Sequence, residues 1–208
     1  LKNAQPAAVN PPFGIVEENT KVLRKFVHLD KDHVKRLKEK AAHIGISFEN
    51  LIQYEYARAL SGAISKDRII FLCTFSGRDE SNIEAVGNFF TVLPVVYDSQ
   101  MSPVDFAENI LKLNEYSYLD SDMVGRLAKI PFSALGTAEG INSNIIEDSL
   151  NDPHISDAKQ VIFEDLRGKR MYMEGDELVI EMSYYDLDVT DRVYNEIEKR
   201  MKEAFKAI

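Results

Sequence analysis

The chain of 208 residues has no tryptophan and one cysteine, Cys73. A lone cysteine excludes an internal disulfide and fits a reducing, cytoplasmic setting. It stands in an apolar stretch with no base close in sequence, so it reads as a buried inert thiol rather than a nucleophile. The 25 basic and 34 acidic residues leave a net charge of −9. No run of Lys or Arg forms a compensating patch. Such a chain repels phosphate backbones, and nucleic acid is not expected as a partner. No apolar stretch is long enough to cross a bilayer and no signal-peptide pattern stands at Leu1, so no membrane partner is expected either. The chain opens without Met, which reads as a piece of a longer protein.

The chemistry-bearing residues are as telling for what they fail to form. The histidines, His28, His33, His43 and His154, are never adjacent and never at HExxH or another metal spacing. They read as surface or capping residues. Asp186, Asp188 and Asp191 lack the glycine and the distal Glu of a calcium loop. An acidic first helical turn explains them better, and no metal site is expected. Neither Ser76 nor Ser133 sits in a GxSxG context, so a serine hydrolase has no support.

What is present is an ordinary globular composition, 45% hydrophobic and 28% charged. Residues 1–20, with Pro6, Pro11 and Pro12, read as an irregular lead-in, and 21–208 as one domain-sized unit. Lys21 to Leu29 reads as a strand. Asp30 caps a helix from Lys31 to about Ile44, whose apolar positions Val34, Leu37, Ala41 and Ile44 recur at helical spacing, with Gly45 as its left-handed end. Ser47 caps a second helix, about Phe48 to Ile64, with Leu51, Ile52, Ala59, Leu60 and Ala63 as core candidates. Arg68 to Phe75 is an apolar run without polar alternation, which predicts a central strand covered on both faces, and Phe90 to Tyr97 is its partner. Ser102 and Pro103 open a helix expected to reach about Leu119 through Phe106, Ile110, Leu113 and Tyr116 or Ser117. A short helix follows over Ser121 to Ala128. Gly136 to Asp157 reads as a long loop. Val161 to Phe163, Arg170 to Met173 and Glu177 to Tyr184 read as strands. Thr190 is the expected cap of a last helix, Asp191 to about Lys206, with Val193, Ile197, Met201, Ala204 and Phe205 on its apolar face. This order predicts an α/β layered sandwich with a mixed sheet.

The most informative stretch is Phe71 to Val96, FLCTFSGRDESNIEAVGNFFTVLPVV. A strand runs into Ser76-Gly77-Arg78, and Val86-Gly87-Asn88-Phe89-Phe90 leads into the next. This resembles the condensation domains of nonribosomal peptide synthetases, where a strand ends in Gly-Arg and a segment of pattern VGxFxNTxPxR follows. Val86, Gly87, Phe89 and Pro94 fall on the expected types. Thr91 stands where Asn is usual, Val92 where Thr is usual and Val96 where Arg is frequent. The resemblance extends along the chain: two helices, the Gly-Arg strand, the VGxF segment, a helix opening like Ser102 to Phe106, and a closing hairpin and helix, ELVIEMSYYDLDVTDRVYNEIEKRMKEAF. It implies a chloramphenicol acetyltransferase-like fold of two facing sandwiches, of which this chain resembles the C-terminal one. The family's catalytic motif, HHxxxDG, is not in the chain.

The resemblance implies part of an enzyme that moves an acyl or aminoacyl group from a carrier-protein thioester to an amine or hydroxyl. The implied partners are the N-terminal condensation subdomain and a peptidyl carrier protein. No cofactor is bound directly; the carrier's phosphopantetheine enters as the substrate arm. Arg78 is the candidate to hold the Asp of the absent motif in an ion pair, a role that suits a planar guanidinium. The plainer reading is a solvent-facing turn Arg paired with Asp79 or Glu80. Ser76, Gly77, Gly87, Asn88, Phe89 and Thr91 are the tunnel and substrate-binding candidates. Gly87 and Asn88 read equally as a close-approach turn or as a bulge. No catalytic residue is assigned, and the isolated chain is expected to be inactive. Half of a two-lobed domain is also expected to self-associate through the surface near Arg78, Phe89 and Phe90. The rival reading is a non-catalytic interaction module for carrier or partner proteins.

Overall fold

A computed structural model describes residues 5–9, 20–76, 90–117, 119, 123, 126, 140–141 and 168–207. Seven strands and four helices stand among them in the order β1 (Gln5–Pro6), β2 (Val22–Leu29), α1 (Lys31–His43), α2 (Phe48–Ala63), β3 (Arg68–Ser76), β4 (Phe90–Asp98), α3 (Pro103–Asn114), β5 (Gly140–Ile141), β6 (Gly168–Glu174), β7 (Glu177–Tyr185) and α4 (Asp188–Lys206). They make a layered α/β fold with two sheets.

The first sheet is mixed. β3 and β4 pair antiparallel without a bulge from Arg68↔Asp98 to Ser76↔Phe90. β1 and β5 lie parallel to β3, through Gln5↔Ile69 and Leu72↔Gly140. β3 is therefore the central strand, and Ile69, Ile70, Phe71, Cys73 and Phe75 are all buried, as an unbroken apolar run requires. Pro94 sits within β4, opposite Leu72. The second sheet, β2–β7–β6, is antiparallel throughout. Its β6–β7 hairpin closes with Glu174 opposite Glu177. Gly175 and Asp176 are left as a two-residue loop, and Gly175 takes a φ of +62° there.

Local signals set the helix ends. The Asp30 side chain accepts from the His33 backbone N–H at the start of α1. At its end the Ile46 N–H bonds to Ala41 O and the Gly45 N–H to Ala42 O. This paired closure turns on Gly45 at φ +75°. Ser47 caps α2 through Asn50 N–H. Ser102 and Asp105 form a reciprocal capping box on α3, with Pro103 as the first helical residue.

One hydrophobic core joins both sheets and all four helices. Leu178, Ile180, Met182 and Tyr184 alternate into it from β7, Phe71 and Cys73 from β3, and Leu93, Val95 and Tyr97 from β4. At one end Phe71 stacks on Phe106 with ring centroids 6.2 Å apart. Tyr54 meets Tyr97 and Phe106 edge-on, and its hydroxyl donates to Met101 O at 3.0 Å. This cluster ties α2 and α3 to the first sheet.

Several expectations change. The lead-in is not wholly irregular: it supplies β1, and Ala7 is fully buried. α3 stops at Asn114, where Tyr116 N–H and Ser117 N–H turn back to carbonyls three residues earlier. Tyr116 is exposed, so no apolar contact holds a longer helix. α4 starts at Asp188, three residues before the expected first residue, with Leu187 as N-cap. Thr190 lies inside the first turn; its hydroxyl accepts from Leu187 N–H and donates to the carbonyls of Leu187 and Tyr185. The stretch expected as a loop over 136–157 contributes β5. Of the short helix expected over 121–128 only Met123 and Arg126 are described, both helical. The strand expected at Val161 to Phe163 lies outside the described residues.

Candidate functional site

Of the expected site residues, Ser76 and Thr91 are described, at one end of the β3–β4 pair. Ser76 is the last residue of β3 and faces Phe90, the first of β4. Phe75 faces Thr91 one step inward. Ser76 and Phe90, which flank residues 77–89, therefore stand at the same end of neighbouring strands. Thr91 is half-buried, and its hydroxyl donates to Leu119 O at 2.8 Å. That bond fastens β4 to the chain beyond α3. Gly77, Arg78, Gly87, Asn88 and Phe89 lie outside the described residues, as does His154, and of the surface expected to self-associate only Phe90 is described.

The described histidines are scattered. His28 stands 3.9 Å from Glu177 on an exposed edge, and His33 Nδ1 stands 2.7 Å from Asp30 Oδ1. His43 is exposed at the end of α1. Among the described residues no group of three His, Cys, Asp or Glu is arranged to hold a metal ion. Asp191 instead accepts from the Tyr184 hydroxyl at 2.7 Å and from Asn195 Nδ2 at 2.8 Å. The Cys73 thiol is pushed well up by burial alone, which removes the thiolate that a nucleophile needs.

Among the charged groups that escaped the sequence reading, Glu181 and Lys169 lie in the second sheet. Glu181, 3% exposed on β7, receives Arg170 Nε at 2.8 Å and lies 3.5 Å from Arg24 Nε. β7 is the middle strand, so the two guanidiniums reach the carboxylate from both neighbours. Lys169, 5% exposed on β6, holds its ammonium 4.8 Å from the centre of the Tyr194 ring. Burial pulls its pKa down to about 7. Tyr194 in turn stacks on Tyr184 at 4.3 Å. The available signal was a charge standing inside an otherwise apolar run, ELVIEMSYY for Glu181. A ring face and buried surroundings hold the Lys169 side chain in place.

No family model matches the chain, and no curated protein matches it. Solved structures do. The nonribosomal peptide synthetase FmoA3 is 14% identical with a TM-score of 0.71, over 98% of this chain and 23% of that one. The PapA2 acyl transferase is 13% identical with a TM-score of 0.66, over 97% of this chain and 48% of that one. The complex of the X-domain and OxyB from teicoplanin biosynthesis gives 14% and 0.66, over 99% of this chain and 50% of that one. The fold is that of a condensation-type domain. At these identities the likeness is one of fold. The chain spans 23% to 50% of the length of those three.

Proposed function

We propose that this chain is the C-terminal subdomain of a condensation-type acyltransferase. The whole enzyme takes an acyl or aminoacyl group from a carrier-protein thioester and passes it to an amine or hydroxyl. The observation that carries this reading is the pairing of Ser76 with Phe90 within a condensation-type fold. That pairing brings together the two ends of the 77–89 connection, and we assign to this connection the contacts with a facing lobe and a phosphopantetheine arm. Arg78 holds the acidic residue of the facing lobe's HHxxxDG loop, and Gly87 lets the arm pass close to the backbone. The catalytic base comes from the facing lobe. The carrier protein and the N-terminal subdomain are the partners.

The test uses the whole protein in which this chain occurs. Arg78→Ala is assayed for acyl transfer from a loaded carrier, with binding of the carrier measured alongside. The expected result is a fall in turnover of at least about a hundredfold, the scale of losing a positioned general base, with carrier binding retained. Unchanged turnover removes Arg78 from this role. A second reading, a non-catalytic interaction module, is favoured by the lack of HHxxxDG in this sequence and by the X-domain, which was solved in complex with OxyB. Carrier or partner binding by a whole protein that has no HHxxxDG and no turnover would establish it.

A further inference from the structure

Two side-chain bonds tie β4 to the chain that follows it. Towards the strand's end, Asn109 Nδ2 of α3 donates to Val96 O at 3.4 Å. At its start, the Thr91 hydroxyl donates to Leu119 O at 2.8 Å. α3 therefore runs back along β4, opposite in direction to the strand. Past Asn114 the chain continues in tight turns: Tyr116 N–H donates to Leu113 O, Ser117 N–H to Asn114 O and Leu119 N–H to Tyr116 O. This return path delivers the chain beyond α3 to the end of the sheet where Ser76 faces Phe90.

The two ties do different work. Asn109 belongs to a helix that Phe106 and Ile110 already bury against the sheet. Leu119 lies past those anchors, in a stretch where Tyr116 is exposed and Ser117 and Leu119 are only half-buried. There the Thr91 hydroxyl does what apolar packing does for the helix. Thr91 also shares its side of β4 with Leu93 and Val95, both core residues. An apolar β-branched residue would suit that face equally well, so packing gives no reason for a hydroxyl at this position. The bond to Leu119 O does.

We propose that Thr91 is a positioning residue for acyl transfer. Its hydroxyl locks the start of β4, where the 77–89 connection enters the strand, to the chain beyond α3, so that the two move as one body. The inference rests on the acyltransferase reading above. Thr91 itself need not touch the substrate. Its weight lies in geometry, because a displacement of about 1 Å in the supports of a site can cost about a hundredfold in rate.

The test uses the whole protein in which this chain occurs. Thr91→Val keeps the shape and removes the donor, Thr91→Ser keeps the donor, and Asn109→Ala removes the other tie. In Thr91→Val, turnover is expected to fall about tenfold or more while KM for the loaded carrier stays within about twofold, the pattern of an interaction that serves the transition state. Hydrogen exchange at the Ser117 and Leu119 amides should quicken in the same variant. Thr91→Ser should restore both readouts, and Asn109→Ala should leave turnover within about twofold of the parent. The proposal fails if Thr91→Val keeps full turnover, if Thr91→Ser does not restore it, or if Asn109→Ala lowers it equally. Absence of acyl transfer from the unaltered whole protein sinks the acyltransferase reading, and the positioning role with it. The exchange measurement tests the tie apart from both: unchanged exchange in Thr91→Val overturns the lock whatever the activity.

Discussion

Glu55 and Lys169 both place an ionisable group in the interior, and they titrate in opposite senses. Burial raises the Glu55 carboxyl above its ordinary 4.5, with Arg58 and Lys40 pulling it partway back. The folded chain therefore holds this proton longer than the unfolded one, and stability falls as pH rises above about 4.5. Burial lowers Lys169 from 10.5 to about 7. Here the unfolded chain holds the proton longer, so stability rises with pH from about 7 to about 10.5. Near neutral pH both groups weigh against the fold. Chemical denaturation at a series of pH values should show Glu55→Gln flattening the acid-side decline and Lys169→Met flattening the alkaline-side rise. Neither variant should lose more than about 1 kcal/mol at pH 7, since replacing a buried charge is often neutral or stabilising. A loss of several kcal/mol in Lys169→Met would show that the ammonium is needed where it lies.

Such residues were illegible in the sequence for a physical reason. A charge on a helix ordinarily marks the solvent side, and Glu55 becomes interior only because α2 buries almost its whole circumference. Gln53, Tyr54, Glu55, Tyr56 and Ala57 are buried in succession, and no 3.6-residue stripe announces that. The motif residues were the reverse case. The two apolar runs that carry Ser76 and Thr91 were legible as partner strands, and the structure pairs them antiparallel.

Among the elements, the best-read boundaries are those closed by side-chain chemistry. Asp30, Ser47 and Ser102 each cap the helix they were expected to cap. Thr190 misled because a hydroxyl serves equally at the N-cap or, as here, from within the first turn by accepting from Leu187 N–H. The Ser102 box is worth measuring. Ser102→Ala removes both the acceptor for Asp105 N–H and the 2.7 Å side-chain contact with Asp105. The expected cost is about 1 kcal/mol, read as a lower denaturation midpoint with an unchanged slope. The Asp105 carboxyl, held below its usual range by the Ser102 side chain and backbone, should then shift upward toward its ordinary value. A midpoint unchanged within error would mean that Pro103 alone suffices to start α3.

At the scale of the whole molecule, the single core makes the two sheets dependent on each other. Leu60 of α2 is fully buried within the cluster that also holds β3 and β7 side chains. Leu60→Ala should cost about 2 to 5 kcal/mol through lost burial and a residual cavity. Hydrogen exchange should register the loss in β3 and β7 amides together. Acceleration confined to the β3–β4 sheet would mean that the two halves of the core open separately.

Pro94 bears on how such a molecule avoids the wrong company. A proline nitrogen has no hydrogen to give, yet β4 pairs with β3 through this position without a bulge. Its bare nitrogen therefore fits on the side turned away from β3, and among the described residues β4 has no strand there. A chain seeking to extend the sheet would find a missing rung midway along its template. Growth of the sheet beyond β4 is thus hindered by one ring.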